Sequence, residues 1–129
     1  MKNEFSDKLI NILHKDFEDI LTILKALSNE NRLKVLISLI NNERSFNDLK
    51  DITKLKKTAL SNHLNDLLDI NLVDRPDHGI YSITNDGLDF LRALSSAFKF
   101  SDIKMRKEID EVQQRKMSQE FRKKILHRG

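Results

Sequence analysis

The sequence predicts a mainly α fold, a winged helix-turn-helix in which short helices carry one β-hairpin and long helices flank it at both ends. Three observations carry that reading. Residues 24–73, LKALSNENRLKVLISLINNERSFNDLKDITKLKKTALSNHLNDLLDINLV, repeat helical apolar spacing punctuated by capping residues. The last helix of that segment has one apolar stripe and an opposite face that is polar but hardly charged. Two hydrophobic runs then flank Pro76-Asp77-His78-Gly79, as hairpin strands flank a turn.

Taken in order, Leu9, Leu13, Phe17, Ile20, Leu24 and Leu27 recur at helical spacing between Phe5 and Leu27. No Pro or Gly interrupts them, so this is one long helix or two abutting ones. Ser28 and Asn29 are competent N-caps, because their short side chains accept hydrogen bonds from the free amides of a following helix. That helix runs from about Glu30 to Ile40, buries Leu33, Leu36, Ile37 and Ile40, and ends at Asn41-Asn42. Ser45 starts a short helix carrying Phe46, Leu49 and Ile52, with Asp48 in the first turn, where the helix dipole favours negative charge. Lys56 to Ile70 forms the next helix, with Leu60, Leu64 and Leu67 as its buried stripe. At roughly 100° per residue, Thr58, Asn62, Asn65 and Asp69 point the opposite way and Ser61 lies on the flank. Asn71 tolerates the left-handed geometry that ends a helix.

LVDR (72–75) and IYSI (80–83) are the hairpin strands; Pro76 presets one turn dihedral and Gly79 accepts a positive one. Thr84 or Asn85 caps a helix with Leu88, Leu91, Leu94 and Phe98 inside. A final helical stretch, from about Ser101 to His127, has sparse apolar positions at Ile109, Val112, Phe121 and Ile125. The whole reads as a single domain over 1–129. Residues 1–28 serve dimerisation, 29–100 form the winged helix-turn-helix core, and 101–129 form a basic C-terminal helix.

Composition narrows the function classes. With 129 residues, 39% hydrophobic and 33% charged, the chain suits one compact domain and is neither disordered by composition nor membrane-embedded. No apolar run reaches the length of a bilayer span. The first residues, MKNEFSDKLINILHKDFED, interleave acids with apolar side chains and so lack the uncharged core of a secretory signal. A cytoplasmic location without a membrane partner is the expectation. Zero cysteines exclude a disulfide framework, a thiolate metal site and a cysteine nucleophile. The net charge of +3 hints at an anionic partner, yet its distribution matters more. Residues 101–129 hold nine basic and five acidic side chains, whereas the first hundred are balanced or slightly acidic. Such a run is either a solvated helix face or a nucleic-acid contact, since charge alone specifies nothing.

The constellation of helix, short helix, polar-faced helix and hairpin carries the functional argument. A second helix of this kind lies in the major groove of DNA, about 12 Å wide, while the first braces it across the backbone. Thr58, Ser61, Asn62 and Asn65 suit base reading, because hydroxyls and amides donate and accept and Asn pairs bidentately with adenine. A polar helix face otherwise simply meets water; the hairpin that follows turns the balance towards double-stranded DNA. Lys54, Lys56 and Lys57 cluster where the polar-faced helix begins and are candidates for phosphate contact. In the hairpin, the cations Arg75 and His78 are offset by Asp74 and Asp77, so the wing should neutralise little phosphate charge.

ALSNENRLKVLISL, LSNHLNDLLDINLV and IYSITNDGLDFL together resemble the winged helix-turn-helix of ArsR-type bacterial and archaeal repressors. The hairpin-to-helix junction is also similar to that of MarR-type regulators. The resemblance covers roughly residues 17–95, and its most specific parts are LS-x-E-x-R-L-x-V-L (Leu27 to Leu36) and LS-x-HL-x-x-L (Leu60 to Leu67). It implies a homodimer whose paired recognition helices, here Lys56 to Ile70, enter successive major grooves of an imperfect palindrome. The match at S-x-HL adds His63 to the DNA-contact candidates, although a packed imidazole is the competing reading. Against the family pattern, Asn65 stands where Lys or Arg is common, and Lys56 takes the usual Ser cap position.

Metal sensing, which the resemblance brings into question, finds no ligand set. There is no thiolate, and His14, His63, His78 and His127 are too scattered for one site within a chain. No metal and no other cofactor is expected. An enzyme is not expected either, because three glycines form no phosphate loop and no Ser-His-Asp arrangement is present. The surplus apolar faces of the N- and C-terminal helices fit dimerisation. A basic tail following DNA phosphates, or a crevice for a small-molecule or protein effector, would use the same helices. The expected function is a sequence-specific DNA-binding transcriptional regulator, a dimeric repressor that occludes a promoter. Its rival is a winged helix that binds protein and not DNA.

Overall fold

The structure, a computed structural model, describes residues 3–126, with the side chains of residues 118, 122, 125 and 126 left aside. His127 and the side chain of Ile125, both weighed above, lie outside the described residues. The element order is α1 (Glu4–Lys15), α2 (Phe17–Leu27), α3 (Glu30–Ser38), β1 (Arg44–Ser45), α4 (Phe46–Thr53), α5 (Lys57–Asp69), β2 (Val73–Asp77), β3 (Ile80–Ile83), α6 (Asn85–Lys99) and α7 (Asp102–Leu126). The chain divides into two compact units, Met1–Asp89 and Phe90–Gly129, with the boundary inside α6.

Of the two readings left open for the N-terminal region, two abutting helices is the observed one, with Asp16 between them. Asn29 is the N-cap of α3, its Oδ1 accepting from the backbone amides of Asn31 and Arg32 at 3.0 and 3.1 Å. Ser45 caps α4 within a capping box: its hydroxyl accepts from Asp48 N–H while the Asp48 carboxylate accepts from Ser45 N–H. Each closure satisfies backbone donors that a helix start leaves without partners. The turn from α4 to α5 passes through Lys54 at φ 58°, a left-handed backbone that costs a side-chain-bearing residue roughly 1–2 kcal/mol.

The core of the first unit is built by Ala26, Leu27, Val35, Leu36, Leu39, Leu49, the α5 stripe Leu60, Leu64 and Leu67, and by Leu72, Val73 and Tyr81. Two residues expected there are not. Ile37 is 54% exposed and Ile40 43% exposed. The inward face of α3 is set by Val35, Leu36 and Leu39, which turns Ile37 outward. The helix also ends at Ser38, two residues sooner than expected, so Ile40 is out of its register. The expected interior of α6 is likewise corrected. Leu88 and Leu91 are half-buried, but Leu94 and Phe98 are 46% and 51% exposed. Beyond Asp89 the helix belongs to the second unit, in which no described residue is buried.

The sheet has order β1-β3-β2, all antiparallel. Strand β1 was not foreseen; its two residues, Arg44 and Ser45, pair with Tyr81 and Ile80. Val73 and Asp74 pair with Ile83 and Ser82, and the register then shifts before Asp77 meets Ile80. Pro76, which has no N–H to give a ladder, sits in that irregular stretch of an edge strand. Gly79 turns the hairpin at φ 71° and Asn71 ends α5 at φ 62°.

Asn71 also locks the far end of the wing. Its carbonyl accepts from Thr84 Oγ1 at 2.6 Å, its amide donates to Asp86 Oδ2 at 3.0 Å, and Thr84 Oγ1 accepts from Gly87 N–H at 3.0 Å. Thr84, not Asn85, is therefore the residue that caps α6. At Gly87 a Cβ would lie 2.5 Å from the Leu72 carbonyl oxygen, a contact with backbone that only glycine avoids. Among the described residues, no helix is long and apolar enough to cross a membrane.

Candidate nucleic-acid interface

Helix α5 is seated by its Leu60, Leu64 and Leu67 stripe, which leaves the opposite face in solvent. Thr58, Asn62 and Asn65 are exposed, as expected from the 100° rotation per residue, and Ser61 is half-buried on the flank. Lys56 has extended geometry (φ −68°, ψ 153°) and is the N-cap, but its side chain makes no capping hydrogen bond. The early amides of α5 thus have no side-chain acceptor at the cap, unlike those of α3 and α4. Lys54, Lys56 and Lys57 surround this helix start and are all exposed.

One cleft joins helix and wing. Lys57, Ser61 and Asn65 line it from α5, and Arg75, His78 and Gly79 line it from the hairpin, with Phe46 and Tyr81 also in its wall. Five of the ten candidate residues are thus brought together, and three of them carry or can carry positive charge. Thr58 and Asn62 stand on the exposed crest, while Lys54 and Lys56 precede it. The two aromatic residues went unrecognised from sequence, although Tyr81 sits at an inward position of the IYSI alternation.

The wing is held rigidly enough to define that cleft. Phe46 N–H donates to Gly79 O at 2.9 Å, tying the start of α4 to the hairpin turn. The Arg75 guanidinium lies over the Tyr81 ring, 5.7 Å from its centroid, an attraction of cation to ring face that orients the side chain. Asp74 and Asp77, expected only to offset the wing's charge, each accept from the next backbone amide, at Arg75 and His78, at 2.7 Å. Their carboxylates therefore shape the turn as well as reducing its net charge.

His63 falls elsewhere. It lies roughly 100° around the helix from Asn62 and is half-buried, and its Nδ1 accepts from Arg32 Nε at 3.2 Å. Arg32 Nη2 also reaches Asp66 Oδ2 at 2.6 Å, so one guanidinium of α3 holds two residues of α5. The planar fork of Arg suits such a double contact, which a Lys could not make. For His63, a DNA-contact candidate with a packed imidazole as the competing reading, the structure shows a half-buried ring that accepts from Arg32. Arg32 was missed as its partner because the two are 31 residues apart in sequence. Among the described residues, no group of three or more His, Cys, Asp or Glu is placed to hold a metal ion.

Comparison with known proteins sets this geometry in context. The family model described as bacterial regulatory protein, arsR family, matches residues 29–75, the stretch from the α3 cap to Arg75 in the wing. The transcriptional activator HlyU of Vibrio cholerae serotype O1 is 38% identical over 52 residues, covering 40% of this chain and 48% of that protein. The matched stretch thus spans about half the length of that relative. The structure of HlyU from Vibrio cholerae N16961 aligns with TM-score 0.56 at 30% identity over 65% of this chain and 96% of that one. NolR from Sinorhizobium fredii aligns with TM-score 0.58 at 31% identity, covering 76% and 97%. A winged helix-turn-helix DNA-binding domain from Mycobacterium bovis, described as homodimeric, shares the fold with TM-score 0.54 at 24% identity, covering 76% and 87%.

Proposed function

Because the chain belongs to the arsR family of bacterial regulatory proteins and is a DNA-binding transcription regulator, we propose that it works in the cytoplasm as a homodimeric repressor. Two copies of α5 enter successive major grooves of an imperfect palindrome, and the bound dimer occludes the promoter. The observation that carries this reading is the cleft in which Lys57, Ser61 and Asn65 of α5 meet Arg75 and His78 of the wing. A phosphate strand lying along that cleft meets cations from both sides, while Thr58 and Asn62 on the adjoining crest reach base edges. Phosphate contacts fix the register and the amides read it.

Two further features support the reading. The amides at the start of α5, without a side-chain cap, suit an anion in line with the helix dipole. Helix α1 leaves Phe5, Leu9, Ile10, Ile12 and Leu13 exposed, the kind of contiguous apolar face that marks an interaction site. A second copy covering it supplies the two-fold axis that a palindrome requires. Repression by occlusion is the simplest use of such a complex, since the bound dimer covers the groove it reads. HlyU, by contrast, is named an activator.

Sedimentation of the protein with a labelled duplex tests the proposal. At micromolar concentration the free protein should run at about twice its 15.1 kDa, and the complex should contain two protomers per operator. The two half-sites should lie about 34–36 Å apart. A persistent monomer, or one protomer per saturated operator, would remove the two-groove model.

A further inference from the structure

Helix α7 spans 25 residues, and none of its described side chains is buried. Three of its exposed apolar residues, Met105, Ile109 and Val112, form a row with Asp102 and Lys116 at its ends, the five following one another at intervals of 3, 4, 3 and 4. That is the spacing of a helix-pairing seam, and at roughly 100° per residue all five fall within an arc of about 80°. Met105, Glu108, Ile109, Val112, Gln113 and Lys116 line a continuous shallow groove along it. Phe121 lies about 180° around the helix from Val112 and does not belong to this seam.

We propose that this seam of α7 pairs with α7 of a second copy of the chain, running antiparallel about a dyad between Asp110 and Glu111. The inference rests on the homodimer reading above and specifies a further contact within it. Charge decides the direction. A parallel pair would stack every seam residue on its own copy, setting Lys116 against Lys116 and Asp102 against Asp102, both repulsive. The antiparallel arrangement removes both conflicts. Ile109 then meets the partner's Val112, Met105 packs along the aliphatic stem of the partner's Lys116, and Asp102 faces the partner's Gln119.

The flanks agree. Glu108, whose contact within its own helix is a long 3.8 Å approach from Lys104, comes opposite the partner's Arg115. The halves of the helix are complementary as well. Residues 102–111 hold four acids and three bases, whereas residues 112–126 hold one acid and five bases. Antiparallel pairing sets each acidic half beside a basic one.

The absence of cysteine from the sequence makes the test direct. In the full-length double variant Met105→Cys/Lys116→Cys, the two positions lie about 16 Å apart along one helix. A disulfide needs Cα atoms within about 7 Å, so the two cannot close within a chain. Oxidation followed by peptide mapping should give a covalent dimer whose cross-links join position 105 to position 116. Each single variant should remain at monomer mass on a denaturing gel. Cross-links joining 105 to 105 and 116 to 116 would overturn the antiparallel pairing, as would the absence of any cross-link. Sedimentation of the same reduced sample separates the two levels: dimer mass without cross-links defeats the α7 pairing alone, and monomer mass defeats the homodimer with it.

Discussion

Replacing Leu64 by alanine is expected to destabilise the first unit by about 2–5 kcal/mol, the range for deleting a large aliphatic side chain from a closed core. Leu64 is 1% exposed and lies between Leu60 and Leu67, both fully buried, so no solvent-side relaxation can refill the space. A domain of this size has roughly 5–15 kcal/mol of stability in total. The loss is therefore a large fraction of it. Chemical denaturation should show the midpoint falling with little change in slope. DNA binding at the growth temperature should fall too, but on every sequence alike and in step with the unfolded fraction. A Leu64→Ala protein as stable as the parent would mean that α5 is not seated by this stripe.

The opposite behaviour is expected half a turn away on the exposed face. Asn62 points away from the leucine stripe, so Asn62→Ala should change stability by no more than about 0.5 kcal/mol. Its cost should appear in recognition. A bidentate amide-to-base contact carries about 1–3 kcal/mol of discrimination, which is roughly a 5- to 150-fold loss on the operator with little change on random duplex. Lys57→Ala should differ in kind. Lys57 lines the helix-wing cleft, and losing a phosphate contact weakens operator and random DNA together while lowering the salt slope by about one unit. The pair of variants separates reading from holding. If both bind every DNA as the parent does, the α5 face does not read DNA, and a protein-binding winged helix becomes the better account.

Much of this was legible because the relevant signals are local. The limits of α5 were fixed by the leucine spacing and by Asn71, whose left-handed backbone the structure retains at φ 62°. Capping chemistry placed the starts of α3, α4 and α6 within a residue, since a Ser, Asn or Thr side chain satisfies amides only three residues away. The hairpin was visible in its turn residues. What escaped depends on parts of the chain that meet only after folding. Strand β1 is two residues long and exists because β3 lies alongside it, so no alternation could announce it. The Arg32 fork on His63 and Asp66 joins residues more than thirty apart. Leu94 and Phe98 have the periodicity of a core face but remain exposed within a protomer; periodicity records that a face is apolar, not which molecule covers it.

The measurement that bears most directly on the central claim is the salt dependence of binding to random duplex DNA. On the proposed reading, the exposed side chains of Lys54, Lys56, Lys57 and Arg75 meet phosphates in each protomer, which gives a dimer up to eight such contacts. At about 0.9 counterions released per contact, the slope of log K against log salt should lie between about −4 and −7. A slope near zero, or no binding at low salt, would contradict the assignment of this face to DNA.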